Sequence, residues 1–258
     1  MSGIESVGNS IAGITCKGSR SKNEDCILMF RTGSLVVLAV ADGVGGIEGG
    51  EIASGIAITT LESEVLQTYR EGMSSTEIEA MIRAAFKLAH EKILSRAPTD
   101  GRGMGTTLVA ACIEGDTVII GNTGDSRAYI ISDGSFFVTR DHSLVQSLID
   151  QNVIRDADNA PRHLRSCITR CLGGPFDVDI YREKLDKSGL VLLSSDGFHS
   201  FVDPGSIISK TCSQPAQNVV LACVHAALKC SDDNISVIVY KPESGAGISS
   251  AQKKCRDS

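Results

Sequence analysis

The sequence predicts an α+β domain built in layers. Strand-like segments come in clusters, the clusters are separated by helical text, and two amphipathic helices follow one another with no strand between them. An alternating βαβ array would interleave strand and helix one by one, so a doubly wound parallel sheet fits poorly. At 258 residues and 42% hydrophobic content the chain can bury one large core or two small ones. No internal linker or repeat divides it, which favours one.

In the first third, Ile11–Cys16, Cys26–Phe30 and Ser34–Ala41 are short, apolar and rich in β-branched residues, as strands of a buried sheet are. Residues 42–50 (DGVGGIEGG) are a loop by glycine content. Apolar residues then recur at helical intervals from Glu51 to about Tyr69, and Ser74 with Glu77 three positions later makes a capping box for a second helix. Its stripe of Ile78, Met81, Ile82, Ala85, Phe86, Ala89 and Ile93 ends near Pro98. Two such helices need a sheet to lie on. Thr106–Ile113, Thr117–Asn122, Arg127–Ile131 and Phe136–Thr139 are separated by Gly-Asp and Asp-Gly turns, a spacing that suits an antiparallel meander. A short helix over Leu144–Asp150 precedes a polar excursion with Pro161 and little periodicity, read as a surface flap of about 152–186. Leu190–Ser195 is a buried strand, Ala216–Lys229 a helix and Ile235–Tyr240 a last strand. The Gly/Ser-rich, polar text over 242–258 predicts a disordered tail behind a single domain of 1–241.

Bulk properties narrow the function. A net charge of −6 offers no long-range attraction to nucleic acid or an anionic membrane. No apolar run approaches the roughly 20 residues that span a bilayer, and Met1–Ser10 lack the charged start and apolar stretch of an export signal. A cytoplasmic protein with neither nucleic-acid nor membrane partner is expected. The nine cysteines are odd in number and include no CxxC, so they read as thiols packed like small apolar groups. His163, Cys167 and Cys171 recur every four residues, yet a zinc site would want a fourth ligand and paired ligand loops.

The chemically informative feature is a set of acids at the ends of apolar strands. Asp42 follows LAVA, Asp125 follows IIGNTG, Asp196 follows LLSS and Asp233 precedes ISVIVY, with Glu24 and Asp25 near a strand start. A single Asp-Gly after a strand is usually a tight turn. Several carboxylates brought together would repel one another unless cations neutralise them. An all-oxygen set suits Mg²⁺ or Mn²⁺ rather than zinc. A nucleotide site is the weaker reading, because Gly43, Gly45 and Glu48 break a GxGxxG pattern and no P-loop Gly-Lys-Ser/Thr is present.

Seven motifs follow in order along the chain: RSKNED (20–25), VADGVGGIEGGEIAS (40–54), MGTTLVA (104–110), GDSRAYI (124–130), TRDHSLV (139–145), LLSSDGF (192–198) and DNISVIV (233–239). In these, from about Gly13 to Tyr240, the chain resembles the PPM, or type 2C, metal-dependent protein phosphatases in their compact bacterial and archaeal form. It implies a four-layer α-β-β-α sandwich, with two central antiparallel sheets flanked by helix pairs and a small flap. It also implies hydrolysis of phosphoserine and phosphothreonine in proteins by a metal-activated water, with no covalent intermediate. Two divalent cations, Mn²⁺ or Mg²⁺, are implied: Asp42 bridges them, Gly43 lends a carbonyl, Asp196 and Asp233 complete one and Glu24 serves the other. Asp25 would hold a metal-bound water from behind, and Asp125 with Asp196 would serve a third, looser cation. Arg20 falls at the phosphate-binding arginine, where a planar fork grips two phosphoryl oxygens. Animal members place a histidine after the Asp-Gly as general acid; Val44 stands here, and His163 in the flap is the candidate for leaving-group contact. No cysteine has the Cys-x5-Arg spacing of thiol phosphatases. A monomer acting on substrates of a serine/threonine kinase is expected, with a partner-binding pseudophosphatase as the alternative.

Overall fold

The structure is a computed structural model that describes residues 4–44, 49–97, 103–132, 135–156, 160–161, 164 and 166–242. Two antiparallel sheets form its centre. The first runs β1 (Glu5–Val7), β2 (Ile11–Cys16), β13 (Ile235–Tyr240), β12 (Leu190–Ser194), β9 (Arg127–Ser132) and β10 (Ser135–Val138) from edge to edge. The second runs β11 (Asp179–Lys184), β8 (Thr117–Thr123), β7 (Leu108–Glu114), β4 (Leu35–Ala41) and β3 (Cys26–Thr32). A two-residue ladder pairs β5 (Gly43–Val44) with β6 (Gly105–Thr106).

Strand β4 explains the layering. All seven of its residues are buried, and successive side chains of a strand point to opposite faces. Leu35, Val37 and Ala39 meet Leu61 of helix α1 (Gly50–Thr68) and Ile82 and Phe86 of helix α2 (Ser75–Arg96), while Val36, Leu38 and Val40 meet Val191, Leu193 and Ile238 of the other sheet. The outer face of that other sheet, with Ile14, Leu192 and Val237, is covered by Ile208 of α5 (Pro204–Thr211) and by Val219, Val220 and Cys223 of α6 (Ala216–Ala227). Helix, sheet, sheet, helix is the resulting order, as the resemblance implied. The Ser74 capping box is formed from both sides, with the Ser74 hydroxyl accepting from the Glu77 amide and the Glu77 carboxylate taking the Ser74 amide.

Three expectations change. The meander expected over 106–139 is split between the sheets: β7 and β8 belong to one, β9 and β10 to the other. The crossing is made at Gly124, whose φ of +111° is costly for any residue with a side chain. It carries the chain from one sheet to the other just before Asp125. The flap expected over 152–186 does not extend so far, because Asp179–Lys184 pairs with β8 from Thr117 to Asn122. Its alternating charges mark an edge strand wetted on one side, and its sequence (DIYREK) has no apolar run to reveal it. Finally, while helix α3 (Leu144–Asp150) stands where it was expected, β1, α5 and the short helix α4 (Asp196–His199) were not read from the sequence. The DGVGGIEGG loop, His163 and the expected tail lie wholly or partly outside the described residues.

Candidate active site

The acids singled out by sequence lie along one end of the seam between the sheets. A cleft of about 360 Å³ there is lined by Arg20, Glu24, Asp42, Gly43, Asp125, Asp196 and Asp233, together with Val44, Thr107, Ser166 and Ile168. Asp25 lies behind this wall, buried. His163 is outside the described residues, and no histidine lines the described part of the cleft.

Each acid is fixed by its backbone. Asp42 leaves the end of β4 with its amide donating to Thr107 Oγ1 at 3.0 Å, and its carbonyl accepts from the Thr107 amide and the Thr106 hydroxyl, both at 2.9 Å. Thr107 Oγ1 lies 2.7 Å from Ser126 Oγ, which ties Asp42 to the residue after Asp125. The Glu24 amide donates to Asn234 Oδ1 at 2.9 Å, and its carbonyl accepts from Ser54 Oγ at 2.6 Å and from the Gly43 amide at 3.2 Å. Asn234 also donates to the carbonyls of Lys17 and Lys22, pinning the loop that carries Arg20. Beside Asp125, the Arg127 guanidinium grips Asp141 with two bonds of 2.7 Å.

Asp196 begins α4, which is forced against β13. A Cβ on Gly197 would stand 1.8 Å from the Asn234 carbonyl oxygen, a backbone atom with nowhere to go. Gly197→Ala must therefore push α4 away from Asp233, and it is expected to cost about 2–3 kcal/mol in urea unfolding. A variant as stable as the parent would show that this contact can relax.

The electrostatics are those of acids crowded without compensation. Burial, followed by the neighbouring charges of Asp25, Asp196 and Asp125, raises the Asp42 carboxyl well above its ordinary value. Burial, followed by Asp196 and Asp141, does the same for Asp125, and burial with Asp233 raises Asp196. Asp25 is raised to about 7 by burial, although the Ser236 and Ser195 hydroxyls donate to its Oδ2 at 2.6 and 2.7 Å. Among the described residues, no three His, Cys, Asp or Glu side chains are gathered about one point. Asp42 and Asp196 are instead hydrogen-bonded to each other, and Asp233 is turned to Arg20 Nη2 at 2.8 Å. Like charges settle this way when protons and an arginine do the neutralising.

The donors nonetheless fit divalent cations. They are all oxygens, which suits a hard ion. Asp25 Oδ1 is buried with no hydrogen-bond partner, in a carboxyl that feels the charges of Asp196 and Asp233, and a water ordered by a cation would satisfy it.

Residues 12–219 match the family model described as Protein phosphatase 2C. The chain belongs to this family. It is a protein phosphatase of the bacterial PPM type. It is 32% identical over 214 residues to the serine/threonine phosphatase stp of Listeria welshimeri, covering 80% of this chain and 84% of that one. Its fold superposes on the serine/threonine phosphatase Stp1 of Staphylococcus aureus with a TM-score of 0.81 at 28% identity, covering 91% of this chain and 95% of that one. The catalytic domain of the phosphatase PstP, solved in complex with two manganese ions, matches with a TM-score of 0.74 at 28% identity, covering 90% of this chain and 96% of that one. Divalent cations are thus the cofactor class of this phosphatase, and phosphoproteins its substrates.

Several residues of the phosphatase's site were not assigned roles from sequence. Thr107, Ser126 and Ser195 lie inside motifs already quoted, and their hydroxyls turned out to be the struts between acids. His199 has Nδ1 3.0 Å from Ser194 Oγ, and burial pushes its imidazole well below its ordinary value. No helix among the described residues is long and apolar enough to cross a membrane.

Proposed function

We propose that this phosphatase hydrolyses phosphoserine and phosphothreonine in proteins with two divalent cations, Mn²⁺ or Mg²⁺, and no covalent intermediate. The observation that carries the reading is the buried Asp25 Oδ1 without a partner, beside five acids and an arginine in one cleft. Asp42, the Gly43 carbonyl, Asp196, Asp233 and Glu24 would hold the pair, and Asp125 with Asp196 a third ion. When bound, such a pair supplies a water activated near neutral pH and neutralises charge on the transferring phosphoryl group.

The chain's own residues supply the rest. Arg20, side chain 55% exposed and donating to the Asp232 carbonyl at 2.9 Å, lines the cleft and would take phosphoryl oxygens when Asp233 turns to a cation. Asp25, behind the acids and held by two serine hydroxyls, orders a water facing them. Val44 has no proton to give, so the leaving alkoxide draws its proton from water or from His163. A kinase-phosphorylated protein is the expected substrate, and the enzyme works as a monomer in the cytoplasm.

The test is phosphate release from matched phosphoserine, phosphothreonine and phosphotyrosine peptides with Mn²⁺, Mg²⁺ or chelator. Release from the first two, lost on chelation, is the expected result. Undiminished release in chelator would overturn the two-cation reading. No release under any condition would favour the partner-binding alternative.

A further inference from the structure

A chain of contacts that the proposed reaction does not use runs from the flap side of the cleft to Asp125. His142 is 6% exposed and holds Gly124 from both ends: its amide donates to the Gly124 carbonyl at 2.9 Å, and its Nδ1 accepts from the Gly124 amide at 3.1 Å. An Nδ1 that accepts leaves the ring proton on Nε2, which faces Asp179 Oδ2 at 3.1 Å. Asp179 is held in turn by Arg170 Nη1 at 3.2 Å and the Tyr181 hydroxyl at 3.4 Å. Arg170 Nη1 also lies 3.4 Å from His142 Nε2, but with both atoms carrying protons that approach is no hydrogen bond.

The same segment carries one wall of the cleft. The His142 carbonyl accepts from the Thr169 amide at 2.8 Å, the Leu144 amide donates to the Cys167 carbonyl at 2.8 Å, and Ser143 bridges to Ile168. Ser166 and Ile168 are the cleft-lining residues of that stretch. Asp125 is bonded directly to Gly124, whose backbone is closed in from the other side by Thr107: a Cβ there would stand 2.6 Å from the threonine side chain. One imidazole therefore joins a wall of the cleft to the turn that carries Asp125.

We propose that His142 is a positioning residue that couples the 166–170 wall, through Arg170 and Asp179, to the placement of Asp125. It rests on the reading of Asp125 as a ligand of a third cation. Groups that orient a metal ligand from behind change metal affinity or activity by about 10–100-fold when removed. His142→Asn keeps a polar side chain but cannot span from the Gly124 amide to Asp179. Arg170→Ala cuts the outer link at a side chain 39% exposed, where the fold is little affected.

The experiment measures Mn²⁺ binding by calorimetry and phosphopeptide kcat/KM for both variants, for Asp125→Asn, and for His142→Asn combined with Asp125→Asn. The expected result is a 10–100-fold weakening of the weakest Mn²⁺ site in His142→Asn and a smaller weakening in Arg170→Ala. His142→Asn should have no further effect once Asp125 is replaced. Multiplying effects in the double variant, or Mn²⁺ binding unchanged in both single variants, would overturn the coupling. If His142→Asn does not fold, Arg170→Ala decides alone. If Asp125→Asn leaves binding and kcat/KM untouched, the ligand reading fails and the coupling with it. A weakened Asp125→Asn beside unchanged His142 and Arg170 variants removes the coupling only.

Discussion

Asp42→Asn is expected to lower phosphopeptide hydrolysis by about 10³-fold or more and, in chelator, to make the protein more heat-stable than its parent. The first effect follows, on the proposed reading, from removing a negative oxygen that would hold the cations. Cation stabilisation of a phosphoryl transition state is worth several kcal/mol, and each 1.36 kcal/mol is about tenfold in rate. Asparagine preserves shape and the Thr107 contacts to the backbone, so the loss belongs to chemistry rather than to folding.

The second effect follows from linkage. A carboxyl raised in the folded state binds more protons folded than unfolded, so it removes stability as pH climbs from its unfolded value toward its folded one. Asp42 is raised well above 3.8 by burial and by Asp25, Asp196 and Asp125, and Asp25 itself is raised to about 7. The gap in thermal midpoint between variant and parent should therefore open above about pH 4 and widen toward pH 7. Buried His199 acts in the opposite sense below about pH 6.5, but equally in both proteins, so it cancels in the difference. Melts in chelator from pH 4 to 8 check this, and a variant less stable than the parent at every pH would refute the charge-crowding account.

Arg20→Ala is expected to cut kcat/KM by about 10²-fold, mostly through KM, because each charge-assisted bond to a phosphoryl oxygen contributes roughly 1.5–3 kcal/mol. Arg20→Lys should recover little of this. One ammonium cannot reproduce a planar two-pronged grip while also holding the Asp232 carbonyl and Asp233 as the guanidinium now does. Steady-state kinetics on one phosphothreonine peptide separate these outcomes. Lysine activity equal to arginine would reduce Arg20 to a simple positive charge, and an unchanged KM in the alanine variant would remove it from substrate binding.

Much of this architecture was legible in the sequence where local pattern and tertiary role agree. The capping box at Ser74 and the stripe from Ile78 to Ile93 needed only helix geometry, and β4 could be read as buried because it is apolar on both faces. The acids were legible because strand ends rarely need so many. What was hidden depends on partners far away in sequence. The placement of β13 between β2 and β12 is set by pairings such as Val237 with Ile14, more than 200 residues apart, and no local pattern encodes them. The sheet change at Gly124 was hidden because a Gly-Asp turn reads alike whether the chain folds back or crosses. Helix α5 went unread although its signal is local: Asp203 caps it with Pro204 at its start, and the carboxylate accepts from the Gly205 and Ser206 amides.

Strand β4 lies pressed between the α1–α2 layer and the opposing sheet, and it ends one residue before Asp42. A beam clamped on both faces cannot retreat when charge accumulates at its tip. Crowding there is hard to relieve by backbone displacement, so bound protons answer it, and divalent cations would do so if these acids hold them as proposed. Uptake of the cations is then also an expulsion of protons into the surrounding solution. On that reading, the stiffness of the core would make this enzyme's metal affinity a function of the acidity around it.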